Sequence, residues 1–122
     1  PLDVILAPAR ALVLQPDLFF VSHARAGIVS DHIWGAPDMV LEVLSPNPRA
    51  GALEQRIDWF AEYGVRECWL VHQLTREIEI LDLTPEGVAG RRHFSLLAPL
   101  ASVVLPSCTL TPADLAGWSP SA

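Results

Sequence analysis

Two acidic residues four positions apart in an otherwise apolar stretch are the first place to look for chemistry in this chain. Asp38-Met39-Val40-Leu41-Glu42-Val43-Leu44 has the composition of a strand. Successive strand side chains alternate between faces. Asp38, Val40, Glu42 and Leu44 then share one face, while Met39, Leu41 and Val43 share the other. A buried charge is expensive unless it is paired or binds a metal. Magnesium takes oxygen ligands, usually one or two carboxylates plus water and phosphate. Asp38 and Glu42 fit that need, and Asp17 on a neighbouring strand can add a further oxygen. The expected metal ligands are therefore Asp17, Asp38 and Glu42, holding Mg2+ or Mn2+. The plainer alternative has Asp38 capping a strand end and Glu42 paired with an arginine. Pro-Asp dipeptides such as Pro16-Asp17 and Pro37-Asp38 do not decide between them, because they are also common in turns.

The other chemical groups are weaker candidates. His23, His32, His72 and His93 form no HxH or HExxH spacing. A zinc site from His23, Asp31 and His32 has no sequence feature to fix its geometry. His72 ends a strand and is read as a strand-end polar residue ahead of a base or ligand. Ser45 lacks a nucleophile-elbow pattern, and the chain has neither a P-loop nor a dinucleotide-binding glycine motif. Cys68 and Cys108 are read as buried free thiols of a reducing compartment. Arg91-Arg92-His93 is read as a solvated hairpin, and the four tryptophans as packing groups.

The elements that must position these groups can be read in order. Residues 2–14 are apolar and hold a strand broken by Pro8. Residues 17–21 form a short aromatic and β-branched strand, and residues 22–35 a polar loop with a short helical piece. The strand at 38–44 ends at Ser45-Pro46-Asn47-Pro48. A helix follows over 52–63, with Leu53, Ile57, Phe60 and Ala61 as its buried stripe and Gly64 as its stop. Residues 67–71 and 77–83 are expected to be strands of a hairpin, and 88–97 and 102–105 edge or return strands. Thr111-Pro112-Ala113-Asp114 can cap a last short helix. The order strand, strand, helix, strand, strand implies a mixed sheet with a helical crossover.

Composition bounds the rest. The 122 residues fit one domain, residues 1–122. With 51% apolar and 18% charged residues, the core is ample and the surface rather apolar, which suits a homodimer or a covering segment. The chain starts at Pro1 and not at methionine, so the expectation is a processed or truncated N terminus. Fourteen acidic residues face eight basic ones, all arginine, for a net charge of −6. Such a chain is a poor non-specific polyanion binder, and any nucleic acid must be met by local arginines, cations or a partner. Residues 94–113 carry no charge but are broken by three prolines, so they do not read as a membrane helix. A soluble cytoplasmic protein is expected.

Three blocks then resemble a known family closely. They are Gln15-Pro16-Asp17-Leu18-Phe19-Phe20-Val21-Ser22, Gly35-Ala36-Pro37-Asp38 through Leu44-Ser45-Pro46, and Tyr63-Gly64-Val65-Arg66-Glu67-Cys68-Trp69-Leu70-Val71. Together with Leu105-Pro106 and residues 110–115 they are similar to the Uma-type restriction-endonuclease-like family of the PD-(D/E)XK superfamily. The resemblance implies an α/β (α+β) fold with a mixed central sheet flanked by helices, the family's N-terminal helix being missing here. It also implies magnesium-dependent hydrolysis of DNA phosphodiesters. By the same resemblance Glu42 with Asp17 or Asp38 holds the metal, the choice of aspartate being open.

The superfamily lysine falls two residues after Glu42, where this chain has Leu44. Family members move it to the following helix, and the matching residue is Arg56, which completes a catalytic set of Asp38, Glu42 and Arg56. Cys68, His72, Phe60 and Ala52 also depart from the residues usual in the family. Arg56 supplies positive charge but does not give up a proton. Two functions follow: a divalent-metal endonuclease weakened by loss of the lysine, or an inactive nuclease fold serving as a binding module. An Arg56–Glu42 ion pair would favour the second.

Overall fold

The computed structural model describes residues 2–45 and 50–119. Pro46, Asn47 and Pro48, the expected strand stop, lie outside the described residues. The strand nevertheless ends at Leu44.

Among the described residues, eight strands form two sheets. β1 (Val4–Ala7) and β2 (Leu12–Leu14) are the two halves of the first apolar stretch, separated as expected at Pro8 by a 3-10 turn, Pro8–Arg10. β3 is Leu18–Phe20. The polar stretch after it holds a 3-10 turn, His23–Ile28, and a two-residue strand, β4 (Ile33–Trp34), which pairs parallel with β1. The small sheet thus has the order β2-β1-β4.

The larger sheet is built from β3, β5 (Met39–Leu44), β6 (Glu67–His72), β7 (Glu77–Thr84) and β8 (Gly87–Phe94), in that order. Only β5 and β6 run parallel. Parallel neighbours need a crossover, and helix α1 (Ala50–Tyr63) provides it. Gly64 ends α1 at φ 111°, a conformation glycine enters without a Cβ penalty, and the Val65 amide closes the turn on the Phe60 carbonyl at 2.9 Å.

Alternation along the strands produces two cores. Val40, Leu44, Cys68, Leu70 and Leu81 face α1 and the small sheet, meeting Ile57, Phe60 and Ala61. Met39, Leu41, Trp69, Val71, Ile78 and Ile80 face the other way, under the C-terminal segment that contributes Leu100. That segment ends in α2 (Pro112–Ala116), where Thr111 and Asp114 form a reciprocal capping box. The fold is thus the mixed α+β arrangement implied by the resemblance, with α1 on one face and the C-terminal wrap with its short helix on the other.

One expected strand is absent. Residues 102–105 form bends and no ladder. Their backbone groups are satisfied differently: the Val103 and Val104 amides donate to the Glu67 carboxylate at 2.7 and 3.3 Å, and the Leu105 amide to Ser102 Oγ at 2.8 Å. Backbone donors that already have partners gain little from a sheet.

Candidate active site

Strand pairing, and not spacing within one strand, brings the key acids together. β3 runs antiparallel to β5 with Leu18 opposite Leu41. One residue further in that register, Asp17 stands opposite Glu42, and directly opposed side chains share a face. Asp17 is held there because its Oδ2 accepts the Val43 amide at 2.7 Å. Glu42 shares the face of Val40 and Leu44, so it points toward α1. Arg56, three residues after Leu53 and four before Phe60, borders the buried stripe of α1 and reaches down. Its Nη2 donates to Glu42 Oε1 at 2.8 Å and to the Gln15 carbonyl at 3.4 Å, while its guanidinium sits 5.6 Å from the Phe60 ring centre.

The electrostatics follow from this burial. The Glu42 side chain is only 12% exposed. Loss of hydration pushes its carboxyl above the usual glutamate range, and the Asp17 charge adds to that rise. The hydrogen bond and charge of Arg56 oppose the shift without reversing it. Asp17 Oδ1 and Glu42 Oε2 accept no hydrogen bond among the described residues. Two carboxylates against one guanidinium leave the cluster net negative. That donor set suits a hard divalent cation completed by water and phosphate. Among the described residues no group of three or more His, Cys, Asp and Glu gathers to hold a metal, so the protein's share would be these two acids.

Asp38 does not join them, contrary to the expectation that it shares a cation with Glu42. The two lie on one strand four residues apart, roughly 13 Å at about 3.3 Å per residue. Asp38 is 2% exposed and fully engaged locally. Its Oδ2 accepts the Ser22 amide at 2.6 Å, and its Oδ1 meets Arg66 at 3.0 Å and Arg25 at 3.4 Å. Burial alone would raise its pKa, but the Ser22 amide, Arg66 and Arg25 outweigh it and hold the carboxyl below the ordinary aspartate value. The plainer sequence alternative, a structural Asp38, describes these contacts.

Two further buried carboxylates were not singled out from sequence. Glu79, 6% exposed, accepts from Arg91 Nη1 at 3.2 Å, and the Nε2 atoms of His72 and His93 each lie 3.3 Å from its carboxylate. His72 thus has a carboxylate partner, and Arg91 and Arg92 are paired, not merely solvated, since Arg92 bonds Asp82 at 2.8 Å. Glu67, 1% exposed, takes Ser102 Oγ, Trp69 Nε1 and the two amides of the C-terminal wrap. An acidic residue at an inward strand position was the available signal in both cases. The zinc candidate is not assembled: His32 lies 3.9 Å from Asp3 and 4.0 Å from Asp31, and His23 joins neither. Cys68 is buried and its thiol pKa is pushed up by loss of hydration, whereas Cys108 is half-buried. No helix among the described residues is long and apolar enough to cross a membrane.

The fold is a mixed α+β sheet crossed by one helix, with Asp17 and Glu42 opposed on neighbouring strands. The sequence pattern of the Uma2 family, described as "Putative restriction endonuclease", matches residues 3–113, and the chain belongs to that family. A solved structure from Anabaena variabilis ATCC 29413, titled as "a putative nuclease belonging to DUF820", is similar in fold, with a TM-score of 0.65 at 18% identity. The similarity covers 87% of this chain and 61% of that one. None of the curated proteins compared with the chain matches it.

Proposed function

We propose that the protein is a divalent-metal-dependent endonuclease acting on DNA phosphodiester bonds, with Asp17 and Glu42 as metal ligands and Arg56 in place of the catalytic lysine. Family membership supports the nuclease class. The observation that carries the assignment of residues is the opposition of Asp17 and Glu42 across β3 and β5, with Arg56 delivered to them from α1. When bound, Mg2+ or Mn2+ would neutralise charge on the phosphate and acidify water. Glu42 Oε2, which accepts no hydrogen bond among the described residues, is open to the cation or to its bound water. Arg56 provides fixed positive charge toward the phosphoryl oxygens but cannot exchange protons as lysine can. Activity below that of a lysine-bearing relative is the consequence. Two free cysteines suit a cytoplasmic workplace.

The Arg56–Glu42 bond at 2.8 Å favours a second reading, in which the guanidinium occupies the cation's place and the fold serves only to bind. Plasmid cleavage with Mg2+ or Mn2+ separates the two. The nuclease reading expects cleavage by the native chain, more by Arg56→Lys and none by Glu42→Gln. Absence of cleavage by all three, at concentrations where each is folded, supports the binding module.

A further inference from the structure

We infer that Arg25 and Arg66 form an anion clamp that anchors a backbone phosphate of the nucleic acid; this rests on the nuclease reading for the identity of the ligand. Asp38 is the one carboxylate among the described residues that holds two arginines. Both approach the same oxygen, Oδ1, so the two guanidiniums are close neighbours. Asp38 offsets one of these two positive charges, and the pocket beside Arg66 also holds the Glu67 and Asp82 carboxylates, which share Arg92. Asp38 is hidden, its side chain 3% exposed, while Arg25 and Arg66 are 39% and 56% exposed. An anion arriving from solvent therefore meets the cations and not the Asp38 carboxylate.

Among the other described arginines, Arg10, Arg56 and Arg91 each face a carboxylate, Arg92 faces both Asp82 and Glu67, and Arg76 donates to the Ser119 carbonyl.

The clamp is also held in place before any ligand arrives. Arg25 sits in a 3-10 turn with its amide on the Ser22 carbonyl at 2.9 Å. The Arg66 amide donates to the Asp38 carbonyl at 3.1 Å, and the Arg66 carbonyl accepts the Leu83 amide at 2.8 Å. Arginine forks match phosphate oxygens in geometry, and a fixed backbone lowers the entropy lost on binding. The clamp lies roughly 13 Å along β5 from Glu42.

Binding of a labelled DNA duplex without divalent metal, followed by fluorescence anisotropy across a salt series, tests this. Arg25→Gln and Arg66→Gln each leave Asp38 one arginine, so both should stay folded. Each should flatten the dependence of log affinity on log salt by up to roughly 0.9, the effect of one lost phosphate contact. Arg66→Lys should restore part of the slope, which a purely structural role would not produce. Inorganic phosphate is the second probe, read by NMR at the arginine side chains. Duplex binding with unchanged slopes in both glutamine variants overturns the clamp and leaves the nuclease reading standing. No duplex binding by the native chain, with phosphate still shifting Arg25 and Arg66, upholds the anion site and sinks the nucleic-acid assignment. No response to either probe overturns the clamp.

Discussion

Arg56→Met would separate the two roles that Glu42 can play. Methionine keeps much of the apolar stem against Phe60 and removes only the charge. The broken pair is mostly but not wholly dry, with Glu42 12% and Arg56 28% exposed. Breaking a fully buried pair costs about 3–5 kcal/mol, and an exposed pair is worth about 0–1 kcal/mol. The intermediate exposure puts the cost here at about 1–3 kcal/mol. A domain of this size loses about 3–5 °C of melting temperature per kcal/mol, so Tm should fall by roughly 3–15 °C. Manganese should reverse the loss. In the native chain the cation must displace the guanidinium from Glu42, whereas in Arg56→Met that cost is gone. Affinity should then be tighter by the same 1–3 kcal/mol, roughly 5–150-fold. Thermal melts with and without Mn2+, with calorimetric titration at mildly alkaline pH to keep Glu42 ionised, give both quantities. Stabilisation of the native chain equal to or larger than that of the variant would refute competition between Arg56 and the cation.

Further outcomes follow from the same structure. Because burial raises the Glu42 pKa above its ordinary 4.5, proton and metal compete over an unusually high pH range. Mn2+ affinity measured against pH should begin to fall before 4.5 is reached; without metal, stability should decline as pH rises through the Glu42 titration, since the folded state holds the proton longer. Glu67→Gln should cost about 3 kcal/mol at neutral pH, because Ser102 and two amides of the C-terminal wrap lose an ionised acceptor. The net shift at Glu67 is downward from 4.5, burial being outweighed by Ser102, Trp69 and the wrap amides. Its contribution is therefore present above 4.5 and lost as pH falls through the folded value, and denaturant curves of the variant and native chain should converge in acid. Phe60→Ala should cost about 3–5 kcal/mol by the same assay, since Phe60, on the buried face of α1, is 0% exposed.

Local pattern made most of the sheet readable. β5, β6 and β7 lie within one residue of the expected strands because alternation and flanking turns are local signals. α1 stops where Gly64 permits a positive φ. Residues 102–105 were misread because their amides go to Glu67, some 35 residues earlier in sequence, and β-propensity carries no trace of such a partner. The Asp38 expectation failed for a related reason. Alternation along β5 tells which face a side chain takes, but not how far it lies from another. The true neighbour of Glu42 comes from register with β3, which is a tertiary property. Arg56 was legible through the resemblance, which places the catalytic cation on the helix after β5, and its contact with Glu42 is the one expected of an ion pair.

The most direct trial of the proposed site is a crystal structure of this chain grown with manganese, with anomalous scattering measured at the metal edge. The account predicts a peak between the Asp17 and Glu42 carboxylates, with the Arg56 guanidinium moved off Glu42. An intact Arg56–Glu42 pair at saturating manganese, with no peak there or with the ion beside Asp38 instead, would contradict it.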